Sequence, residues 1–252
     1  MDNLLQYLRN HFKDRLIISG EIGDLLIWGE RTQNGVRLLG LSCNVAANIR
    51  PGQKQLRQLL DSGTAIAASI GVPIMRIVYP LDLITNPQAT LRINNQVVNK
   101  VDAPAIIQGL LGTRYNVFGT SKDVNKQIND VFHEWARAQL PKDYVRNDID
   151  AILLTPEYEL RDILEIKRSP SRKPDKWTPY VEDIRNYYMG DLLAKRAGMR
   201  FITLNHPNKF VPVNDDTTVG IHFIQRVILN PENIQSTRTL VQAREVIDFL
   251  DN

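Results

Sequence analysis

Two acidic residues and a lysine in the second half of the sequence have the types that metal-dependent hydrolysis needs. Asp150, Glu165 and Lys167 lie at the ends of two apolar runs that a short polar segment separates. If residues 156–159 form a hairpin loop, the residue numbers of antiparallel partners sum to 315, and Asp150 faces Glu165. Two facing carboxylates repel each other unless a cation lies between them. Mg²⁺ accepts such oxygen ligands, so the pair predicts a Mg²⁺ site, with Mn²⁺ as a substitute.

Lys167 adds a positive charge to the strand face that carries Glu165, because alternate residues of a strand lie on one side. Phosphodiester hydrolysis needs a metal ion that neutralises the phosphoryl oxygens, an activated water and a cation that stabilises the transition state. A lysine beside two carboxylates keeps its proton, so we expect Lys167 to position water or phosphate rather than to act as a base. Asp148 has two possible roles: it is a metal ligand if the hairpin register is shifted by two residues, and otherwise it is the partner of Lys167.

The elements that must position these residues follow from apolar periodicity and from Pro, Gly and Asx signals. The second half predicts a helix from Ser121 or Asp123 to residue 140, strands over 149–154 and 160–166, a helix that starts at Thr178-Pro179, a strand over 201–204, a strand over 221–229 and a helix over 236–250. Tyr187 and Tyr188 on the helix after the hairpin are interpreted as packing groups.

The order helix, strand, strand, helix, strand is predicted twice, over residues 4–79 of the first half and over residues 122–204 of the second. The matched pairs are Asp24 with Asp150, Gly71 with Gly198, and Gly40 and Ser42 with Glu165 and Lys167. If the repeat is a duplication, the first copy lacks the charged residues and is degenerate. Residues 81–120 contain only short apolar runs and are interpreted as a connecting or recognition region.

The pattern Asp150 … Glu165-Ile166-Lys167, with its flanking helices and strand, resembles the PD-(D/E)XK nuclease superfamily, which includes most type II restriction endonucleases. The resemblance covers 122–204 and implies a restriction-endonuclease-like αβββαβ core, Mg²⁺ as cofactor and cleavage of nucleic acid. Ile149 stands where the family motif often has proline. Family members often carry a further acid on the helix before the hairpin, and Glu134 is the candidate for that catalytic role.

A basic segment follows the second strand of the hairpin. Prolines and serines make it a loop, and its cations are well placed to meet phosphates. The DNA-binding candidates are Arg168, Arg172, Lys173 and Lys176.

Composition and charge restrict the class of protein. The 252 residues are 43% apolar with a net charge of +3, which fits a globular protein rather than a disordered or strongly basic one. The single cysteine, Cys43, excludes an internal disulfide framework and fits a reducing compartment. The sequence lacks a membrane-length apolar run, a secretory signal and a Walker-type loop, so we expect a cytoplasmic protein without a membrane partner or a nucleotide cofactor.

Together these features predict an α/β fold with a mixed central sheet flanked by helices. Residues 1–120 would be a recognition or accessory region, and residues 121–252 the catalytic core. The expected function is Mg²⁺-dependent endonuclease cleavage of double-stranded DNA, foremost by a type II restriction enzyme acting as a homodimer, since a one-site chain needs two copies to cut both strands. Two alternatives stay open: a structure-specific repair, recombination or transposition nuclease, and a non-catalytic nucleic-acid-binding protein with a degenerate nuclease fold.

Overall fold

Groups of strands separated by helices make up the fold in a computed structural model that describes residues 2–20, 22–33, 35–49, 54–113, 131–169, 174–207, 212–229 and 232–252. The helices are α1 (Asn3–Phe12), α2 (Lys54–Ile70), α3 (Ala103–Leu110), α4 (Val131–Gln139), α5 (Ile184–Ala197) and α6 (Ala243–Asp251). The strands are β1 (Leu16–Ile18), β2 (Asp24–Thr32), β3 (Gly35–Ala46), β4 (Ile74–Tyr79), β5 (Thr90–Ile93), β6 (Gln96–Asn99), β7 (Tyr144–Ile149), β8 (Ala151–Leu154), β9 (Leu160–Arg168), β10 (Arg200–His206), β11 (Thr218–Leu229) and β12 (Glu232–Gln242).

The chain divides into two compact units, each with its own six-stranded mixed sheet. Unit 1 contains Met1–Glu21 and Ile149–Asn252, and unit 2 contains Ile22–Asp148. The predicted α/β class with mixed sheets and flanking helices is therefore confirmed. The units differ from the expected division after residue 120, because the N-terminal β1 pairs with β8 of the second half.

The sheet of unit 1 has the strand order β1-β8-β9-β10-β11-β12. Its strands pair antiparallel except for β9 and β10, which run parallel. Leu4, Leu8 and Phe12 recur every four residues along α1, so they bury one stripe of the helix. That stripe packs with α6 residues such as Val246 on one face of the sheet. Helix α5 lies on the other face.

The sheet of unit 2 has the strand order β6-β5-β4-β3-β2-β7, with β3 and β4 parallel. One face carries an aromatic cluster in which the Phe132 ring of α4 lies 5.5 Å from Tyr79 and 5.6 Å from Trp135. Helix α2 packs on the opposite face, where Gly63 allows close approach to Leu25 and Ile74. Each face of this sheet is therefore covered by a helix.

Both units contain the same series of elements: a helix, three neighbouring strands, a second helix and a strand parallel to the third. In unit 1 the series is α1-β1-β8-β9-α5-β10, and in unit 2 it is α4-β7-β2-β3-α2-β4. Each unit thus takes its first helix and strand from the other half of the sequence. Only Asp150 separates β7 from β8, and a hairpin between them needs at least two loop residues, so β7 pairs with β2 instead.

Small residues recur at matching places in the two units. Gly71 and Gly198 follow α2 and α5, and both have φ of 69°, the left-handed conformation that glycine adopts without strain. A second glycine lies eight residues before each of these, Gly63 in α2 and Gly190 in α5. Gly63 packs against Ile74, three residues after Gly71, and Gly190 packs against Phe201, three residues after Gly198. This shared pattern supports an internal duplication.

Several sequence-based boundaries were wrong. Residues 81–120, expected to be irregular, contain β5, β6 and α3. Residues 236–242, expected to be helical, extend β12, because they pair with β11 in a long hairpin. Helix α5 starts at Ile184, and Thr178-Pro179 lies before it. The expected start of a helix at Ser121 or Asp123 lies outside the described residues.

None of the helices described by the structure has both the length and the apolar character that crossing a membrane requires.

Gly190→Ala tests the close packing of α5 on the sheet. A Cβ at Gly190 would lie 2.5 Å from Cε2 of Phe201, so we expect the substitution to lower the free energy of unfolding by about 1–3 kcal/mol. Phe201→Leu in the same chain should restore part of the loss. Gly109→Ala in α3 is the control, because nothing lies within 4 Å of its added Cβ. Urea denaturation measures all of these variants, and equal stability of the Gly190 and Gly109 variants would contradict the packing.

Candidate active site

The β8–β9 hairpin has the predicted register at its open end, next to Asp150 and Glu165. Ala151 pairs with Leu164 and Ile152 with Ile163, so partners sum to 315 as expected. Near the loop the register shifts by one residue, and Leu154 pairs with Leu160. The loop is therefore Thr155–Glu159 rather than 156–159, with the Thr155 carbonyl accepting from the Tyr158 N–H.

The carboxylate of Asp150 is held against the backbone of β9, at the residue that follows Glu165. Its Oδ2 accepts a hydrogen bond from the Ile166 N–H at 2.6 Å. Its own carbonyl oxygen accepts from the Ser19 N–H at 3.0 Å, which fixes the backbone just before β8. Asp150 is half-buried. The side chain thus lies across the hairpin at the place that the register predicts.

Glu165 and Lys167 form a partly buried ion pair. Lys167 Nζ lies 2.8 Å from Glu165 Oε1, and the Glu165 side chain is only 7% exposed. Burial raises the pKa of Glu165 above its usual value, although the neighbouring ammonium opposes this. Burial alone would lower the pKa of Lys167, but the Glu165 carboxylate outweighs it and raises that pKa. Lys167 is therefore charged at neutral pH.

Two residues at the start of the following helix complete the surroundings of Lys167. Asp183 Oδ2 lies 3.4 Å from Lys167 Nζ, and the ammonium lies 5.7 Å from the centre of the Tyr187 ring. The sequence analysis interpreted Tyr187 as a packing residue and did not single out Asp183. Tyr187 is fully buried, so its packing role is confirmed, and its contact with the lysine is additional. A favourable cation–π contact and a second carboxylate hold the ammonium in place.

A row of buried polar side chains continues from Glu165 and Lys167 across the sheet. Thr203 is the register partner of Glu165, Asn205 that of Lys167, and His222 that of Thr203. Thr203 Oγ1, Asn205 Oδ1 and both ring nitrogens of His222 have no hydrogen-bond partner among the described residues. Burial, together with Arg238, lowers the pKa of His222 to about 4. His222 is therefore neutral at physiological pH, and no sequence motif marked this row.

The other two acidic candidates belong to unit 2. Asp148 lies on β7, and its Oδ1 is 3.3 Å from His133 Nε2. Its predicted position opposite Lys167 was wrong, because β9 pairs with β8 and β10, whereas β7 joins the other sheet. Glu134 is exposed on α4 of the same unit, and its catalytic role stays a prediction. The corresponding helix of unit 1 is α1, whose sequence contains no acid.

The basic candidates are described only in part. Arg168 is exposed at the end of β9, and its Nε lies 3.4 Å from Asp2 Oδ2. Lys176 is exposed in a short 3₁₀ turn. Arg172 and Lys173 lie outside the described residues. The predicted phosphate contacts of these four residues therefore stay predictions.

The matching place in unit 2 has lost the charged residues. If Gly71 of unit 2 is aligned with Gly198 of unit 1, Arg76 is the counterpart of Thr203. Arg76 is the register partner of Cys43, and Thr203 is the register partner of Glu165, so Cys43 is the counterpart of Glu165. Cys43 in turn pairs with Leu25. The counterparts of Asp150, Glu165 and Lys167 are therefore Leu25, Cys43 and Val45. The predicted matches of Asp24 with Asp150, and of Gly40 and Ser42 with Glu165 and Lys167, were wrong, because Asp24 pairs with Asn44 and the hairpin of unit 2 has longer strands.

The donor chemistry of Asp150 and Glu165 fits a hard divalent cation. Within the described residues no group of three or more His, Cys, Asp and Glu side chains converges on one point. Mg²⁺ is commonly held by one or two carboxylates, with water and phosphate oxygens completing the shell. A cation at Glu165 would compete with Lys167, and Asp183 offers the ammonium a second partner.

Comparisons with protein-family models, with curated proteins and with solved structures find no match for this chain. The function is therefore argued from the geometry of the site.

His222 predicts a pH dependence of stability. The unfolded chain protonates this histidine near its ordinary pKa of 6.5, whereas the folded chain does so only near 4. The unfolded state binds more protons between these values, so the free energy of unfolding falls as the pH is lowered from about 6.5 to 4, by about 1–3 kcal/mol. Urea denaturation across this range should show that His222→Gln removes this part of the loss. His11→Gln, at a half-exposed histidine, is the control; an unchanged pH dependence in the His222 variant would contradict the prediction.

Proposed function

We propose that the chain is a divalent-metal-dependent nuclease that hydrolyses phosphodiester bonds of DNA at Asp150, Glu165 and Lys167. The observation that supports this most directly is the hydrogen bond between Asp150 Oδ2 and the Ile166 N–H. It brings one carboxylate to the strand segment that carries the second carboxylate and the lysine. Three charged groups of the required types thus share one end of a buried hairpin.

Each of these groups has a distinct part in the proposed reaction. Asp150 and Glu165 would hold Mg²⁺, which when bound neutralises charge on the phosphoryl oxygens and lowers the pKa of a bound water. Lys167 keeps its proton, so its ammonium donates hydrogen bonds to the attacking water or to a phosphate oxygen. Asp183 and Tyr187 position that ammonium. The burial of Glu165 limits access of bulk water, which strengthens these charge interactions.

The order of elements in unit 1 also supports the proposal. The series α1-β1-β8-β9-α5-β10 has three strands paired antiparallel and a fourth parallel to β9, and this order is compatible with the αβββαβ core that the resemblance implies. The acidic pair lies on the second and third strands of that series. This arrangement supports the resemblance by topology, and the chemistry rests on the residues themselves.

The number of candidate sites bears on how the protein would cut a duplex. Among the described residues, unit 1 carries the charged set, and the matching place in unit 2 carries Leu25, Cys43 and Val45. One chain would therefore cut one strand at a time, and a symmetric homodimer would cut both. Incubation with plasmid and phage DNA separates the two kinds of nuclease: discrete fragments indicate a restriction enzyme, and cutting confined to branches, ends or mismatches indicates a repair or recombination enzyme.

Asp150→Asn and Lys167→Met should each lower the rate of DNA cleavage by at least about 100-fold, because the first weakens the hold on the metal ion and the second removes the ammonium that stabilises the transition state. Cleavage of supercoiled plasmid in Mg²⁺ measures this, and binding of the same DNA in EDTA should change much less. Glu157→Gln, at the exposed tip of the same hairpin, is the control and should cleave normally. Cleavage by both site variants at the wild-type rate would refute the assignment.

Removal and replacement of metal test the carboxylate pair. EDTA should abolish cleavage, and Mg²⁺ or Mn²⁺ should restore it. Titration calorimetry should show Mn²⁺ binding that Glu165→Gln weakens about 10–100-fold, because an amide oxygen carries no charge. Absence of both metal binding and nicking would favour the non-catalytic alternative, a nucleic-acid-binding protein with a degenerate nuclease fold.

A further inference from the structure

Unit 2 contains a cavity of about 380 Å³ beside the parallel strands of its sheet. Val45 and Ala47 at the end of β3, Arg76 and Val78 of β4, and Leu56 of α2 contribute to its wall. This volume lies within the range of small-molecule pockets, about 300–1,000 Å³. The lining residues belong to unit 2 alone.

The cavity lies at the place in unit 2 that corresponds to the candidate active site of unit 1. Val45 is the counterpart of Lys167, and Arg76 is the counterpart of Thr203, the register partner of Glu165. In both units the place is at the carboxyl ends of two parallel strands, on the face that the second helix covers. Open α/β sheets commonly bind ligands at the carboxyl ends of their strands. The two units thus carry different side chains at the same place in their sheets.

The charge of the cavity points to an anion. Its described lining includes the two arginines Arg76 and Arg92 and no acidic residue. Arg76 Nε is buried and has no hydrogen-bond partner among the described residues. A buried donor without a partner is costly, and a guanidinium suits phosphate oxygens well. A phosphate in the cavity would lie beside the guanidinium group of Arg76, which is part of the wall.

The remaining wall is apolar and suits the body of an organic ligand. Thr90 is the one neutral polar side chain of the described lining, and the apolar residues are Val45, Ala47, Ile49, Leu56, Val78, Pro80, Leu91 and Val97. Aliphatic walls of this kind stabilise a ring by burying its apolar surface. Guanidinium planes also stack on flat rings. The cavity therefore combines a cationic part with an apolar part.

We propose that unit 2 binds a nucleotide in this cavity, with Arg76 and Arg92 on the phosphate and the aliphatic residues around the base. The choice of a nucleotide among organic anions rests on the proposed function, whereas the cationic and apolar character of the cavity does not. Unit 2 would bind the nucleotide without cleaving it, because Leu25, Cys43 and Val45 replace the residues that carry the reaction in unit 1. The nucleotide is either a free molecule or one unit of a DNA strand.

The test uses the full chain with Asp150→Asn in EDTA, so that cleavage does not interfere with binding. Titration calorimetry with dAMP and with dCMP, each alone, should show saturable binding. Arg76→Gln and Arg92→Gln should each weaken it at least about 10-fold, and inorganic phosphate should bind at least about 10-fold more weakly than the nucleotide. Arg31→Gln, at an exposed arginine of the same unit, carries the same loss of charge and should bind normally.

Competition identifies the source of the nucleotide. Displacement of dAMP by a single-stranded oligonucleotide supports a DNA strand as the ligand, and retention of dAMP supports a free nucleotide. Absence of saturable binding to both nucleotides, an unchanged affinity in both arginine variants, or an equal loss in Arg31→Gln would overturn the proposal. Circular dichroism checks folding, and exposed Arg92 supplies a usable variant if Arg76→Gln fails to fold.

Failure of the nuclease proposal gives a different result. A wild-type chain that binds dAMP through Arg76 and does not cut DNA loses the proposed function and keeps the nucleotide site. A chain that cuts DNA through Asp150 and binds neither nucleotide keeps the function and loses the site.

Discussion

The hydrogen bond from the Ile166 N–H to Asp150 Oδ2 lies where the chain changes from one sheet to the other. Residue 149 ends β7 and residue 151 begins β8, so Asp150 has no room to form a turn that would pair these strands. Its backbone carbonyl instead accepts from Ser19 beside β1, and its side chain accepts from β9. This single residue therefore connects the two sheets and carries one of the two candidate metal-binding carboxylates.

The same constraint explains the exchange of helix–strand pairs between the two halves. Because β7 cannot fold back on β8, the edge of β8 is available for β1 from the N-terminus. Strand β7 in turn pairs with β2, and the helix that precedes it, α4, packs with the aromatic cluster of unit 2. Glu134 and Asp148, which precede the hairpin in sequence, are for this reason residues of unit 2. Residues that are neighbours in sequence therefore belong to different units at this point of the chain.

The two units also illustrate how one topology accommodates different chemistry. Both retain the glycine pairs that fit the second helix to the sheet and the left-handed turn before the parallel strand. At the candidate active site unit 1 has a buried carboxylate balanced by Lys167, whose ammonium also contacts Asp183, and at the matching place unit 2 has aliphatic residues and arginines around a cavity. Close packing explains the shared glycines, whereas the residues that differ are buried apolar groups in unit 2, Leu25, Cys43 and Val45, where unit 1 has charged ones.

Local patterns in the sequence determined the hairpin register, the α/β class and the ends of several elements. A short loop between two apolar runs predicted Asp150 opposite Glu165, because strand pairing across such a loop depends on nearby residues alone. Gly198 ended α5 for the same local reason. Only the tertiary structure decided that β12 extends the sheet, since its partner strand rather than its own periodicity sets its conformation. Tertiary packing likewise brought Asp183 and Tyr187 to Lys167 and placed Arg76 at the cavity of unit 2. These contacts join segments that are distant in sequence, and no local pattern of residues predicts them.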